Sequence, residues 1–192
     1  MPMTDILNLS PVKAARRNKI LNAAQHIFVT QGFRGATMEG IAAAVGMSKV
    51  TVYGYFKDKD AVFAAVADRL DRQLVEVVKL ELRDGQTLKE KIANALIAKH
   101  RVVFDLVRTS PHASELFAAK DRTSQQRFRD SDREIEGQIA ALLGAGPFGK
   151  KEASTIARVF FAASQGIANR AERFDEIEEG IGYLTQIIGP KG

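Results

Sequence analysis

Residues 48–56 read Ser48-Lys49-Val50-Thr51-Val52-Tyr53-Gly54-Tyr55-Phe56, a run of β-branched and aromatic residues whose propensity alone favours a β-strand. The flanking residues favour a helix. Gly46 suits a helix C-terminus and Ser48 suits an N-cap. Val52 and Phe56 are four residues apart, as on one face of a helix. A short helix precedes the run, opened by Thr37 as N-cap and closed at Gly46. Two short helices joined by a tight turn make a helix-turn-helix, whose second helix can enter the major groove of DNA. With Val52 and Phe56 turned inward, Val50 and Gly54 face outward, flanked by Lys49, Thr51, Tyr53 and Tyr55. Such a face is unusual for a solvated surface. It suits a duplex, where hydroxyls and ammonium groups donate to phosphates and a valine methyl packs on a thymine methyl. Thr37 and Ser48 also read as pure helix caps, Lys59 as a turn residue, and the tyrosines as core rings with hydroxyls at the rim.

The rest of the chain is helical in pattern. Ile20, Leu21, Ala24, Ile27 and Phe28 recur at helical spacing up to Gly32. Val62, Phe63, Val66, Leu70, Leu74 and Val77 do the same up to Asp84-Gly85, and Leu88, Ile92, Leu96, His100, Val103 and Val107 up to Ser110-Pro111. Further helices follow near 113–119, 123–143, 150–174 and 176–188. The fold expected is all-α with about nine helices. Residues 1–15 form an arm that turns basic, 16–60 a three-helix DNA-binding domain, and 61–192 a helical regulatory and dimerisation domain whose residues 61–84 are the connecting helix.

Composition narrows the function. The 192 residues include no cysteine, which excludes disulfides and thiolate-bound metals. Residues 1–60 carry eight Lys/Arg against four Asp/Glu, while the remainder is nearly neutral; the basic excess lies where a polyanion would bind. No signal peptide and no 18-residue apolar run occur, so a cytoplasmic protein without membrane partners is expected. An H-E-x-x-H, a phosphate-binding glycine loop, a G-x-S-x-G and a cysteine nucleophile are all missing, so the reading is of a non-enzyme without cofactor or metal.

The stretch from Arg17 to Leu70, above all Gly32–Thr37, Ala42–Gly46, Ser48, Val52, Tyr53, Tyr55, Phe56, Lys57, Lys59 and Asp60, resembles the DNA-binding domain of the TetR family of bacterial transcriptional regulators. Gly54 and Tyr55 depart from the family's usual pattern, which has a bulky or polar residue and often a histidine there. The resemblance implies a homodimer bound to a double-stranded, pseudo-palindromic operator, released by a small-molecule effector. It implies that Thr37, Ser48, Tyr53, Tyr55 and Lys59 contact phosphates, while Lys49, Val50, Thr51 and Gly54 face bases. It also implies an effector site in the C-terminal domain, for which Phe104, Phe117, Phe128, Phe161 and His100 are candidates, with a mainly apolar effector expected. Phe160, Ile167, Phe174, Ile181, Leu184 and Ile188 are the candidate dimer contacts, with closure of the domain's own core as their other reading. Control by a protein partner instead of a small molecule, or action as an activator, is equally compatible with the residues.

Overall fold

The computed structural model describes residues 10–85, 87–110, 112–117 and 122–187, with the side chains of Thr109 and residues 122–128 outside the description. Among the described residues there are eight α-helices, one 3-10 turn and no strand. The helices are α1 (Pro11–Gly35), α2 (Met38–Val45), α3 (Lys49–Tyr53), α4 (Lys59–Glu81), α5 (Leu88–Thr109), α6 (Arg122–Gly144), α7 (Lys150–Arg170) and α8 (Phe174–Gln186), with the 3-10 turn at Ala113–Leu116. No helix among the described residues is long and apolar enough to cross a membrane.

The chain divides into two compact units, Met1–Arg69 with Val107–Ala118, and Leu70–Leu106 with Ala119–Gly192. The expected boundary lies at residue 60; the compact units part after Arg69, inside α4, and the first takes in a segment from beyond residue 100. Residues 1–9 of the expected arm lie outside the described residues. From Pro11 the chain is helical, because proline at the first helical position loses no hydrogen bond and already has helical φ.

In the first unit, α1 buries Ile20, Leu21, Ala24, Ile27 and Phe28 and packs against α2. Regular geometry breaks at Gly32, whose φ of 71° and ψ of 170° belong to a region open almost solely to glycine. Phe33 follows, and its ring meets Phe63 of α4 edge-on at 5.0 Å, as Phe28 does. Arg69 ties α4 back to α1 through the Asn22 side-chain oxygen at 2.7 Å and the Leu21 carbonyl. The 3-10 turn completes the unit: Glu115 accepts the Phe33 N–H at 3.2 Å and stands 3.3 Å from His112 Nδ1.

The second unit has its own core, formed by Val75 and Val78 of α4, Leu82 just past its end, Ile92 and Leu96 of α5, Ile135, Ile139 and Leu143 of α6, and inward residues of α7 and α8. A reciprocal capping box opens α5, the Thr87 N–H donating to Glu90 and the Glu90 N–H to Thr87 Oγ1. Helix α7 packs on α6 and α8. Gly180 allows α8 its close approach, since a Cβ there would come within 2.9 Å of Ile167 Cγ2.

Candidate nucleic-acid interface

The segment 48–56 is a helix, shorter than its sequence pattern suggests: five residues, Lys49–Tyr53, held by caps at both ends. Gly46 ends α2 in the left-handed conformation, with φ 68°, and its N–H returns to the carbonyls of Ala42 and Ala43. Ser48 Oγ then accepts the Thr51 N–H at 3.1 Å and shares a hydrogen bond with Thr51 Oγ1. Thr37 does the same for α2, accepting the Gly40 N–H at 3.0 Å. Each cap satisfies a donor that the first helical turn leaves open. The hydroxyls of Thr37 and Ser48 therefore have structural work even in the absence of a ligand.

Val52 and Phe56 are buried, and the Arg17 guanidinium lies 5.1 Å from the Phe56 ring centre. With those two residues inward, the opposite face is left to water. Val50 is 82% exposed and Tyr53 42%; Lys49 and Gly54 are exposed, and Thr51 and Tyr55 half-buried. The structure thus gathers Ser48, Lys49, Val50, Thr51, Tyr53, Gly54 and Tyr55 on one short helix and its ends, with Thr37 at the start of the preceding one.

Lys49 has a partner that the sequence reading missed. Its ammonium pairs with Glu39 of α2 and lies over the Tyr53 ring at 5.7 Å. The pair holds the Glu39 carboxyl below its ordinary range and the Lys49 ammonium above. Both side chains are exposed, so the attraction is weak and readily exchanged for another anion. The sequence signal was their ten-residue separation across a tight turn.

Lys59, expected at a phosphate, has acceptors within its own unit. Its ammonium donates to the Phe33 carbonyl at 2.7 Å and the Ala36 carbonyl at 2.8 Å, with the Phe33 ring beneath it at 4.4 Å. Two of its three donors are spent inside the unit, closing the turn between α1 and α2 onto the start of α4.

The candidate effector residues separate. Phe117 belongs to the first unit, whereas Phe104, Phe161 and His100 belong to the second, and the Phe128 side chain lies outside the described residues. Phe104 stacks edge-on against Phe174 at 5.3 Å. His100 and Phe161 converge with two residues that the sequence reading passed over. Ser164 Oγ donates to the Phe161 carbonyl at 2.8 Å and lies 3.1 Å from His100 Nε2, while the Lys99 ammonium stands 4.7 Å over the Phe161 ring. Burial and the neighbouring Lys99 charge push His100 down to about 3, and burial pushes Lys99 down to about 8 against the opposing pull of Asp132. Lys99 follows Ile92 by seven residues and Leu96 by three, a spacing that places it on the buried face of α5. A surface hollow lined by Arg83, Asp84, Gly85, Glu90 and Asn94 is polar and includes none of the candidates.

The candidate dimer contacts differ in burial. Phe160, Phe174 and Ile181 are buried within one chain, in line with the core reading, while Ile167 and Leu184 are half-buried beside the same core; Ile188 lies outside the described residues. The large apolar side chains left exposed on and just after these helices are Val159, Tyr183 and Ile187.

Comparison with known proteins agrees with this geometry. Residues 20–66 match the family model described as bacterial regulatory proteins, tetR family. The chain is 37% identical over 68 residues to the HTH-type transcriptional repressor Rv1474c of Mycobacterium tuberculosis, covering 35% of this chain and 36% of that one. It is 30% identical over 132 residues to the HTH-type transcriptional regulator RutR of Escherichia coli, covering 68% of this chain and 58% of that one. The matches therefore span less than two thirds of either relative. A transcriptional regulator of the TetR/AcrR family from Thermobifida fusca shares the fold, with a TM-score of 0.72 at 20% identity over 93% of this chain and 100% of that one.

Proposed function

The chain belongs to the TetR family of bacterial transcriptional regulators, which are not enzymes, and from that premise we propose that it is a repressor that binds a palindromic operator as a homodimer and lets go when a small, mainly apolar effector binds its second unit. The observation that carries the DNA reading is the outward face of α3, with Val50 82% exposed on a helix too short to persist without its caps. An apolar side chain held in water at the tip of a helix-turn-helix has a use once a base methyl covers it. In this reading Val50, Thr51, Lys49 and Gly54 face bases, and Thr37, Ser48, Tyr53 and Tyr55 donate hydroxyls to phosphates. Lys59 supports the same surface from behind. Lys49 exchanges Glu39 for the duplex on binding.

The second copy is expected on the side of α7 and α8 that carries Val159, Tyr183 and Ile187, since the buried residues of those helices are already occupied. A two-fold axis there gives two copies of α3 and a palindromic site. The relative named as a repressor supports the sign of regulation. Selection from random duplexes tests the reading: an enriched inverted repeat is expected, with affinity falling steeply with salt, and Tyr53→Ala is expected to lose it without losing the fold. Failure to enrich any sequence would overturn the proposal.

A further inference from the structure

We propose that the first turns of α1 are a second DNA-binding surface, in which Lys13 and Arg16 contact phosphates flanking the groove entered by α3; this deepens the operator reading above and rests on it. Residues 37–60, which contain both short helices, hold three acidic and three basic side chains. The basic ones are engaged within the protein: Lys49 with Glu39, Lys57 with Asp58 at 3.6 Å, and Lys59 with two carbonyls. The face that carries Val50 therefore brings hydroxyls and a neutral charge balance to a polyanion. The positive excess lies in residues 11–19, where Lys13, Arg16, Arg17 and Lys19 occur without an acidic residue.

The core does not require this stretch. Helix α1 starts at Pro11, but its first buried residue is Ile20, so roughly 13 Å of helix, at 1.5 Å per residue, precedes the packed part. Arg17 ties the stretch to the recognition segment, its guanidinium 5.1 Å from the centre of the Phe56 ring just past α3. Lys13 stands four residues before Arg17 and shares its face, and Arg16 adjoins it; both are exposed. Without a ligand the arrangement is unfavourable. At helical spacing Lys13 repels Arg16 and Arg17, and Arg16 repels Lys19. Lys13 also opposes the helix dipole in a first turn that has no acidic residue. A row of phosphates relieves both. Such contacts carry no sequence information, so α1 supplies attraction and register while α3 supplies the reading of bases.

The test measures binding of the full chain, by fluorescence anisotropy across a range of salt, to the operator enriched by selection and to a mixed-sequence duplex of equal length. Lys13→Met/Arg16→Met is expected to lower the slope of log affinity against log salt by about 1.8 on both duplexes, twice the 0.9 of one phosphate contact, with the ratio of the two affinities unchanged. Its melting point without DNA is expected to equal or exceed the parent's, because two repelling charges have left the helix start. Lys150→Met/Lys151→Met removes the same charge from the start of α7 in the other unit and is expected to leave both slopes as they were. An unchanged slope for the α1 variant, or an equal drop for the α7 variant, overturns the surface. A drop confined to the operator overturns its sequence-independent role. The mixed-sequence duplex needs no operator, so the α1 surface is decided even where selection enriches nothing and the operator reading falls.

Discussion

Lys59 lies at the start of α4, yet its ammonium reaches back to the Phe33 and Ala36 carbonyls at 2.7 and 2.8 Å. These carbonyls flank the turn that the Gly32 conformation opens, and the lysine replaces the helical donors they have lost. A basic residue beside a DNA-reading helix suggests a phosphate contact, but its acceptors here are 26 and 23 residues away in the chain, beyond the reach of any local pattern. Two predictions separate the roles. Lys59→Met should cost about 1.5–3 kcal/mol of stability, the range for hydrogen bonds to a charged group, measured by urea denaturation. The folded fraction should keep an unchanged slope of log affinity against log salt, whereas loss of a true phosphate contact would lower that slope by about one.

At the scale of the element, α3 was legible because its ends were: the hydroxyl of Ser48 and the left-handed Gly46 fix a helix where the β-branched interior alone would not. Gly54 at its C-terminus has φ −67° and ψ −18°, a conformation open to any residue. No turn requires glycine here. Gly54→Ala is expected to raise stability by up to about 1 kcal/mol, less whatever the Thr51 carbonyl oxygen takes back at 3.2 Å from the new Cβ. Operator affinity should fall if the backbone approaches a base or phosphate there; parallel melting and binding measurements on one preparation decide it. Helix α4 was less legible. Among its buried residues, the row Val62, Val66, Leu70, Leu74 and Val78 advances in steps of four and so drifts around the axis, and the expected Val77 gives way to Val78. In α7 and α8 periodicity found the apolar faces. It could not say whether the covering atoms belonged to the same chain, and for Phe160, Phe174 and Ile181 they did. Lys99 escaped because a charged residue on a buried face reads as a break in the pattern until the burial is seen.

For the whole molecule, stability should depend on pH in two separate windows. Burial pushes His100 down to about 3 from its ordinary 6.5, so the unfolded chain binds the extra proton between those values, and stability is lost as pH falls below about 6.5. Asp132, raised by burial, works in the opposite sense in its own acid range. Lys99 titrates at about 8 against 10.5, so the unfolded chain again holds more protons and stability rises as pH climbs from about 8 to about 10.5. Denaturant midpoints across the pH range check both windows, and Lys99→Met should abolish the alkaline rise. The assembly has its own test. Tyr183, 64% exposed, and Ile187, 77% exposed, change from solvated to buried on dimerisation in the proposed arrangement, so Tyr183→Asp should shift sedimentation toward the monomer and weaken operator binding without lowering the monomer's melting point. The Glu115 carboxylate that receives the Phe33 N–H has a consequence for the order of manufacture. The first unit is not contiguous, and its last piece, Val107–Ala118, is translated well after Arg69. At about 5–20 residues per second, the ribosome spends several seconds on the intervening segment, during which α1, α2 and α3 lack the turn that completes their unit.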